Sequence, residues 1–271
     1  MVSILDLDIK RNMEYNESTF CSLWTQHIRI KDCADLFINE KLAGDYFFNR
    51  LNNVSCRDID SVIEESIRIF SERGLNCYVC ISDYDKYLEN ILLKNGFFLI
   101  DIMHVLKFDL NNTENNEYKI QVIKIDLHSL PVWIDVFCKS FDANDWKSEV
   151  EKVVNLHFKE LTLLLSYTND SCSKIPSGCV ALFNRYNLMG LYCLGTLCPF
   201  RGQGMAKKMV KICLRIARQE KLDFLFLQTF SKEGLIQFYK RVGFKIAYNK
   251  KIYVLYNSQL EYENSKNSRF I

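Results

Sequence analysis

Apolar residues give the first reading of this chain, because their spacing separates a helix face from a strand. In SLPVWIDVFCKSFD, Val132, Val136 and Phe137 fall at helical spacing behind Ser129, a residue type that caps helix starts. NDWKSEVEKVVNLHF carries a similar period and predicts a second helix. The runs LTLLLSYT, CVALFNRY and LMGLYCLGTL are short and apolar, as strands are. A Ser/Asn/Gly-rich turn through Gly178 separates the first two, and the last two form a hairpin turning at Asn187. Met205, Met209, Ile212, Cys213 and Ile216 then mark one face of a helix. LDFLFLQTF reads as a buried strand, and KEGLIQFYKRVGF as a short helix stopped at Gly243, a natural position for a left-handed cap. KIAYNKKIYVLY reads as a final pair of strands. Strand, helix and strand in succession across Met205–Glu220 imply a right-handed parallel crossover. The expected fold is α/β, a mixed sheet with helices on both faces.

LNNTENNEYK, from Leu110 to Lys119, is polar, Asn-rich and without period, which marks a linker. It divides the chain into expected units at 1–112 and 117–271. The first unit hides a faint repeat of the second. LLKNGFFLIDIMHVLKF aligns with FYKRVGFKIAYNKKIYVLY when Gly96 is placed on Gly243. Both read helix end, Gly-Phe, strand, strand, as an internal duplication would. ESIRIFSERG, earlier in the first unit, is an amphipathic helix with a glycine stop.

Charge adds an asymmetry that the overall value of +2 conceals. Up to Asn116, 12 basic residues face 19 acidic ones, a balance of −7; from Glu117 onward, 23 face 14, a balance of +9. The C-terminal half is thus the better binder of an anion, and the opposite charges also help the halves dock. KKMVKICLRIAR is basic but forms one face of an amphipathic helix without aromatic interleaving, so no nucleic-acid partner is expected. No apolar run reaches membrane-spanning length, and MVSILDLDIKRNMEYNE does not read as a secretory signal. The expectation is a cytoplasmic protein with no membrane partner, a monomer or homodimer. The 11 cysteines lie mostly inside apolar runs and are expected to be reduced, buried thiols. Cys77 and Cys80 form C-x-x-C but sit in a strand, where they point to opposite faces. The four histidines have no metal-ligand spacing, so no metal site is expected.

The richest stretch is CLGTLCPFRGQGMAKKMV, where glycines and a proline separate a strand from a helix that opens with Lys207 and Lys208. Cations are disfavoured at a helix start, which carries about half a positive charge, unless an anion sits over it. Ordinary solvated lysines would serve equally well on charge alone. The loop lacks the Gly-Lys-Ser/Thr of a Walker A motif and the dinucleotide G-x-G-x-x-G. Arg201-Gly202-Gln203-Gly204-Met205-Ala206 instead resembles the R/Q-x-x-G-x-G/A signature of the GNAT superfamily of N-acetyltransferases. IQFYKRVGF resembles that family's ending, and the resemblance covers roughly Ile120 to Tyr256. GLNCYVCISDYDKYLENILLKNGFFLID looks like a degenerate copy, so the chain as a whole resembles tandem GNAT proteins of the acyl-CoA N-acyltransferase fold.

The resemblance implies acetyl-CoA as cofactor, its pyrophosphate held by the amides of Arg201, Gly202, Gln203, Gly204, Met205 and Ala206. It implies that Leu194, Gly195 and Thr196 bind the pantetheine arm and polarise the thioester. Tyr239 would be the catalytic acid that protonates the departing thiolate, although a core tyrosine also fits that position. Ser231 would contact coenzyme A, one residue out of register with the family's usual Asn. Pro199 stands one residue closer to the arginine than the family pattern has it. The implied activity is N-acetyl transfer to a primary amine of a small molecule or peptide, by direct attack in a ternary complex. A covalent route through Cys193 or Cys198 lacks a nearby histidine. No carboxylate or histidine stands on LMGLYCLGTL to act as general base. Tyr192, Asp142, Asp145 and His157 are the alternatives, besides entry of the amine already neutral. The missing base supports a rival reading, a non-catalytic acyl-CoA-binding sensor. Residues 1–112 lack the loop signature and have Leu92 where the second copy has Tyr239. They are expected not to acetylate but to wall the acceptor cleft or to support the second unit.

Overall fold

The structure is a computed structural model and describes residues 4–111, 121–170 and 173–257. Most of the expected linker, Cys172 and the end of the chain lie outside these residues. The chain opens with α1 (Ile4–Trp24), then β1 (Gln26–Ile30), β2 (Ala34–Ile38), β3 (Arg50–Asn52), α2 (Ile59–Glu72), β4 (Cys77–Ser82), α3 (Lys86–Lys94) and β5 (Phe98–Asp109). The C-terminal half supplies β6 (Gln121–Lys124), α4 (Leu130–Ser140), α5 (Lys147–Leu156), β7 (Leu161–Asp170), β8 (Ser173–Arg185) and β9 (Leu188–Thr196). It continues with α6 (Met205–Gln219), β10 (Phe224–Phe230), α7 (Ile236–Val242) and β11 (Lys245–Leu255).

All eleven strands join one mixed sheet in the order β1-β2-β3-β4-β11-β5-β10-β9-β8-β7-β6. The centre of that order departs from chain order. β5 follows β4 and α3 in the first half, yet it pairs antiparallel with β10 of the second half. β11 follows β10 and α7, yet it pairs antiparallel with β4 of the first half. β5 and β11 pair with each other along the middle. Each half therefore gives its last strand to the other, and the two arms of the sheet mirror one another about the β5–β11 seam. The repeat expected from Gly96 and Gly243 is visible here. Both glycines take positive φ, +81° and +110°, where a helix turns into the exchanged strand.

Two expectations need correcting. The final pair of strands is one continuous β11, which absorbs its polar middle through register shifts at Ile246/Tyr248 and Ile252/Tyr253. Gly178 is not in a turn, because β8 already begins at Ser173. The hairpin at Asn187 forms as expected, with Tyr186 and Asn187 at φ of +57° and +58°, as a primed turn requires. Ser129 occupies the cap position of α4 without a side-chain cap bond.

Alternation along the strands divides the core by face. Cys77, Val79 and Ile81 pack with α2 and α3, whereas Tyr78 and Cys80 join the cluster of Phe20, Trp24, Trp133 and Phe137 from α1 and α4. Cys77 and Cys80 thus do face opposite sides. On the second arm, Met209, Val210, Cys213 and Leu214 of α6 pack against Leu164, Val180, Leu182 and Leu191. The cysteine expectation needs one correction: Cys33 and Cys56 form a disulfide. Among the described residues the other cysteines are free, and all but Cys198 are buried.

Candidate active site

The parallel pair β9–β10 holds register only from Leu188–Phe224 to Gly190–Phe226. Beyond it the strands part, and the cause is local. Cys193 has φ of +55°, and the β8–β9 ladder shifts register between Cys179 and Ala181. This bulge turns β9 away from its neighbour. Gly195 lets it lean on α4: a Cβ there would lie 2.6 Å from the Cβ of Ser140.

The gap opens into a cleft of about 910 Å³. Its lining includes Leu194, Gly195, Thr196, Arg201, Gly202, Gly204, Met205, Ala206 and Tyr239. Nine of the eleven residues singled out from sequence are therefore brought together. Gln203 and Ser231 do not line it. The Gln203 amide donates to the Pro199 carbonyl at 3.0 Å, and the Ser231 hydroxyl pairs with His104 Nε2 at 2.7 Å.

The glycine loop is built to leave donors free. Gly202 and Gly204 both sit in the left-handed region, at φ of +75° and +76°, and a Cβ on either would meet open space. Gly204 is the N-cap of α6, and no acidic residue stands in that helix's first turn. Arg201 clamps the loop, with Nε donating to Thr196 O at 3.0 Å and Nη2 to Ser140 O at 2.7 Å. Its backbone N–H is spent on Cys198 O. Among the described residues, the N–H groups of Gly202, Gln203, Gly204, Met205 and Ala206 have no protein acceptor. Lys207 lines the same mouth. Five free donors, a helix start and a cation converge there, as they do at anion sites.

Tyr239 comes from the first turn of α7 and is 6% exposed. Among the described residues its hydroxyl has no hydrogen-bond partner, and it is not sealed in the core, so it is open to the cleft. Burial and the neighbouring Glu233 push its phenol well above the ordinary tyrosine value, so it holds its proton at neutral pH. Burial likewise pushes up the thiol of Cys193, which disfavours a thiolate nucleophile.

Of the bases considered from sequence, only Tyr192 reaches the cleft. Tyr192 lines the cleft, but its hydroxyl donates to Asn16 Oδ1 at 3.0 Å, within α1. His157 Nδ1 pairs with Glu160 Oε1 at 2.8 Å, and neither it nor Asp142 or Asp145 lines the cleft. Sequence reasoning missed Glu233, which does line it, in the turn between β10 and α7. Glu233 Oε2 accepts from the Phe230 N–H at 3.0 Å and from the Thr229 hydroxyl. An acid three residues past the end of a strand, at the start of a helical turn, was the available signal. Phe20 and Phe47 of the N-terminal half also line the cleft and had no signal in sequence.

Residues 133–244 match the acetyltransferase (GNAT) family. This stretch of the chain resembles a GNAT domain. The whole fold is that of GNAT acyltransferases, including a tandem member. A GCN5-related N-acetyltransferase from Sphaerobacter thermophilus superimposes with a TM-score of 0.67 at 14% identity, over 82% of this chain and 75% of that one. One from Kribbella flavida gives 0.66 at 10% identity, over 94% and 96%. A tandem GNAT protein from the clavulanic acid biosynthesis pathway gives 0.55 at 6% identity, over 77% and 75%. No curated sequence matches the chain significantly. Among the described residues no helix is long and apolar enough to cross a membrane.

Proposed function

We propose that this GNAT protein is an acetyl-CoA-dependent N-acetyltransferase acting on a primary amine, with residues 117–271 as the catalytic unit and residues 1–112 as a wall of the acceptor cleft. The observation that carries the reading is the set of N–H groups from Gly202 to Ala206 left free, among the described residues, at the mouth of a cleft onto which the Tyr239 hydroxyl opens, itself without a partner among those residues. The residues present fit acetyl-CoA. The loop amides and Lys207 would hold its pyrophosphate, and the parted end of β9, from Leu194 to Thr196, would border its pantetheine arm. When bound, acetyl-CoA supplies the acetyl group as a thioester.

The residues of this chain divide the remaining work. The loop orients by hydrogen bonding and charge, which converts a bimolecular encounter into a positioned one. Main-chain N–H groups of the parted β9 are the candidates to stabilise charge developing on the carbonyl oxygen. Tyr239, protonated at neutral pH, donates its proton to the departing sulfur. Arg201 serves as the clamp that holds the loop in shape, since its side-chain donors already contact Thr196 and Ser140. Phe20 and Phe47 carry the first half into the cleft wall, which supports a role for that half in shaping the acceptor site.

Calorimetry with coenzyme A and a free-thiol assay with an amine panel test the reading. The parent should bind coenzyme A and release thiol only when an acceptor is present. Gly204→Glu places a like charge in the open space over the helix start, so binding and turnover should both be lost. Binding by Gly204→Glu equal to the parent would refute the loop assignment.

A further inference from the structure

Glu233 stands where the first half closes the cleft. The Phe230 amide holds one of its oxygens, and the Phe230 ring lies edge-on to Tyr46, with centroids 4.7 Å apart. The next residue, Phe47, lines the cleft, as do Phe20, Phe230, Leu227 and Phe238. Oε2 is tied to Phe230 N and Thr229, while Oε1 has no protein partner among the described residues and is not sealed off. The carboxyl is thus held by one oxygen and offers the other to the cleft, inside a largely aromatic wall. Building on the acetyltransferase reading, we propose that Glu233 is the general base and that this end of the cleft takes a primary amine carried on an apolar body.

The electrostatics suit that role. Burial pushes the Glu233 carboxyl up to about 7, with Asp101 of β5 adding to the rise and its hydrogen-bond donors opposing it. Asp45 and Tyr46 before β3 and Tyr239 on α7 also feel its charge, His104 of β5 pairs with Ser231 in the same turn, and Arg241 of α7 lines the same cleft. Asp45 is itself raised to about 7 by burial, and Tyr46 donates to Asp101 at 2.9 Å. A base half-ionised near neutral pH removes a proton efficiently without being fully protonated itself.

The proton and electron balance is direct. The incoming ammonium gives one proton to Glu233 Oε1. The freed nitrogen lone pair forms the C–N bond as the C–S bond breaks, and Tyr239 protonates the sulfur. The second nitrogen proton returns to the Tyr239 oxygen, and Glu233 releases its proton to water.

Glu233→Gln is the test, because the amide oxygen still accepts from Phe230 N and Thr229. The acceptors are phenethylamine and its difluorinated analogue, a much weaker base of nearly the same shape. The variant should lose about 100-fold in kcat on phenethylamine and lose the pH limb near 7, with coenzyme A affinity unchanged. It should lose less than about 10-fold on the analogue, which already enters neutral. Equal losses on both amines, or a retained limb, would overturn the base assignment. The carboxyl carbon resonance of Glu233, followed by NMR in the coenzyme A complex, should titrate near 7; ordinary glutamate behaviour would overturn it as well. Coenzyme A binding without phenethylamine turnover would overturn the acceptor class alone. A parent that does not bind coenzyme A would instead sink the reading on which this rests.

Discussion

Lys250 is the sharpest test of how the exchanged strand is held. It lies in the middle of β11 and is 3% exposed. Its ammonium is 2.9 Å from Glu14 Oε2 and 2.9 Å from each oxygen of Glu17, both on α1. Glu17 is fully buried and also pairs with Arg50 of β3, while Gln228 of β10 donates to it at 3.2 Å. A single ionic cluster therefore ties the C-terminal strand to the first half. Lys250→Met keeps the apolar stem and deletes the charge, leaving Glu14 without this partner and Glu17 with Arg50 and the neutral Gln228. Removing one member of a buried ion cluster costs about 3–5 kcal/mol, about a fifth or more of the stability of an ordinary domain. Urea denaturation at pH 7 reads this as a shift in midpoint, and Lys250→Met combined with Glu14→Gln, which restores charge balance, should recover at least about 1 kcal/mol. The sign of the pH dependence follows from Glu17. Burial pushes its carboxyl up, but Lys250 and Arg50 override that and hold it below the ordinary value. Its contribution is present above the unfolded carboxylate pKa and lost as pH falls through the lowered one, so the parent's advantage over Lys250→Met should shrink in acid. A cost below about 1 kcal/mol, or no recovery in the double variant, would refute the reasoning.

Two further outcomes are expected. Tyr239→Phe should leave coenzyme A affinity within about 2-fold and slow turnover about 100-fold or more, measured by thiol release; an unchanged rate removes the tyrosine from the chemistry. Asp45 is fully buried and raised to about 7, with Oδ1 accepting from Phe47 N and Phe48 N, and an asparagine carbonyl can accept from both in its place. Its folded pKa lies above its unfolded one, so its protonation stabilises the fold in acid, and that contribution is lost as pH rises from about 4 through 7. Asp45→Asn should remove that loss, on the order of 3 kcal/mol between pH 4.5 and 8, as read by urea midpoints. Parallel pH slopes for parent and variant would contradict it.

The sequence by itself determined the local elements and the glycine loop of this protein. Period-3.6 and apolar runs specify α4, α6 and β10, and Gly202, Gly204 and Gly243 report positive φ because few other residues adopt it cheaply. Tyr239 and the glycine loop were legible because each lies in a short motif whose spacing its element dictates. Only the tertiary structure decided what those elements touch. Nothing in KIAYNKKIYVLY says that β11 pairs with β4 rather than β10, since strand pairing is set by packing and not by local pattern. The polar middle of that run suggested a break, but Lys250 is neutralised by two glutamates more than 230 residues away in the chain. Glu233 looked like one more surface acid, and it became a candidate base only through burial beneath a wall that the other half supplies. Burial and the neighbours it brings are properties of the folded chain, and here they set the electrostatics of the site.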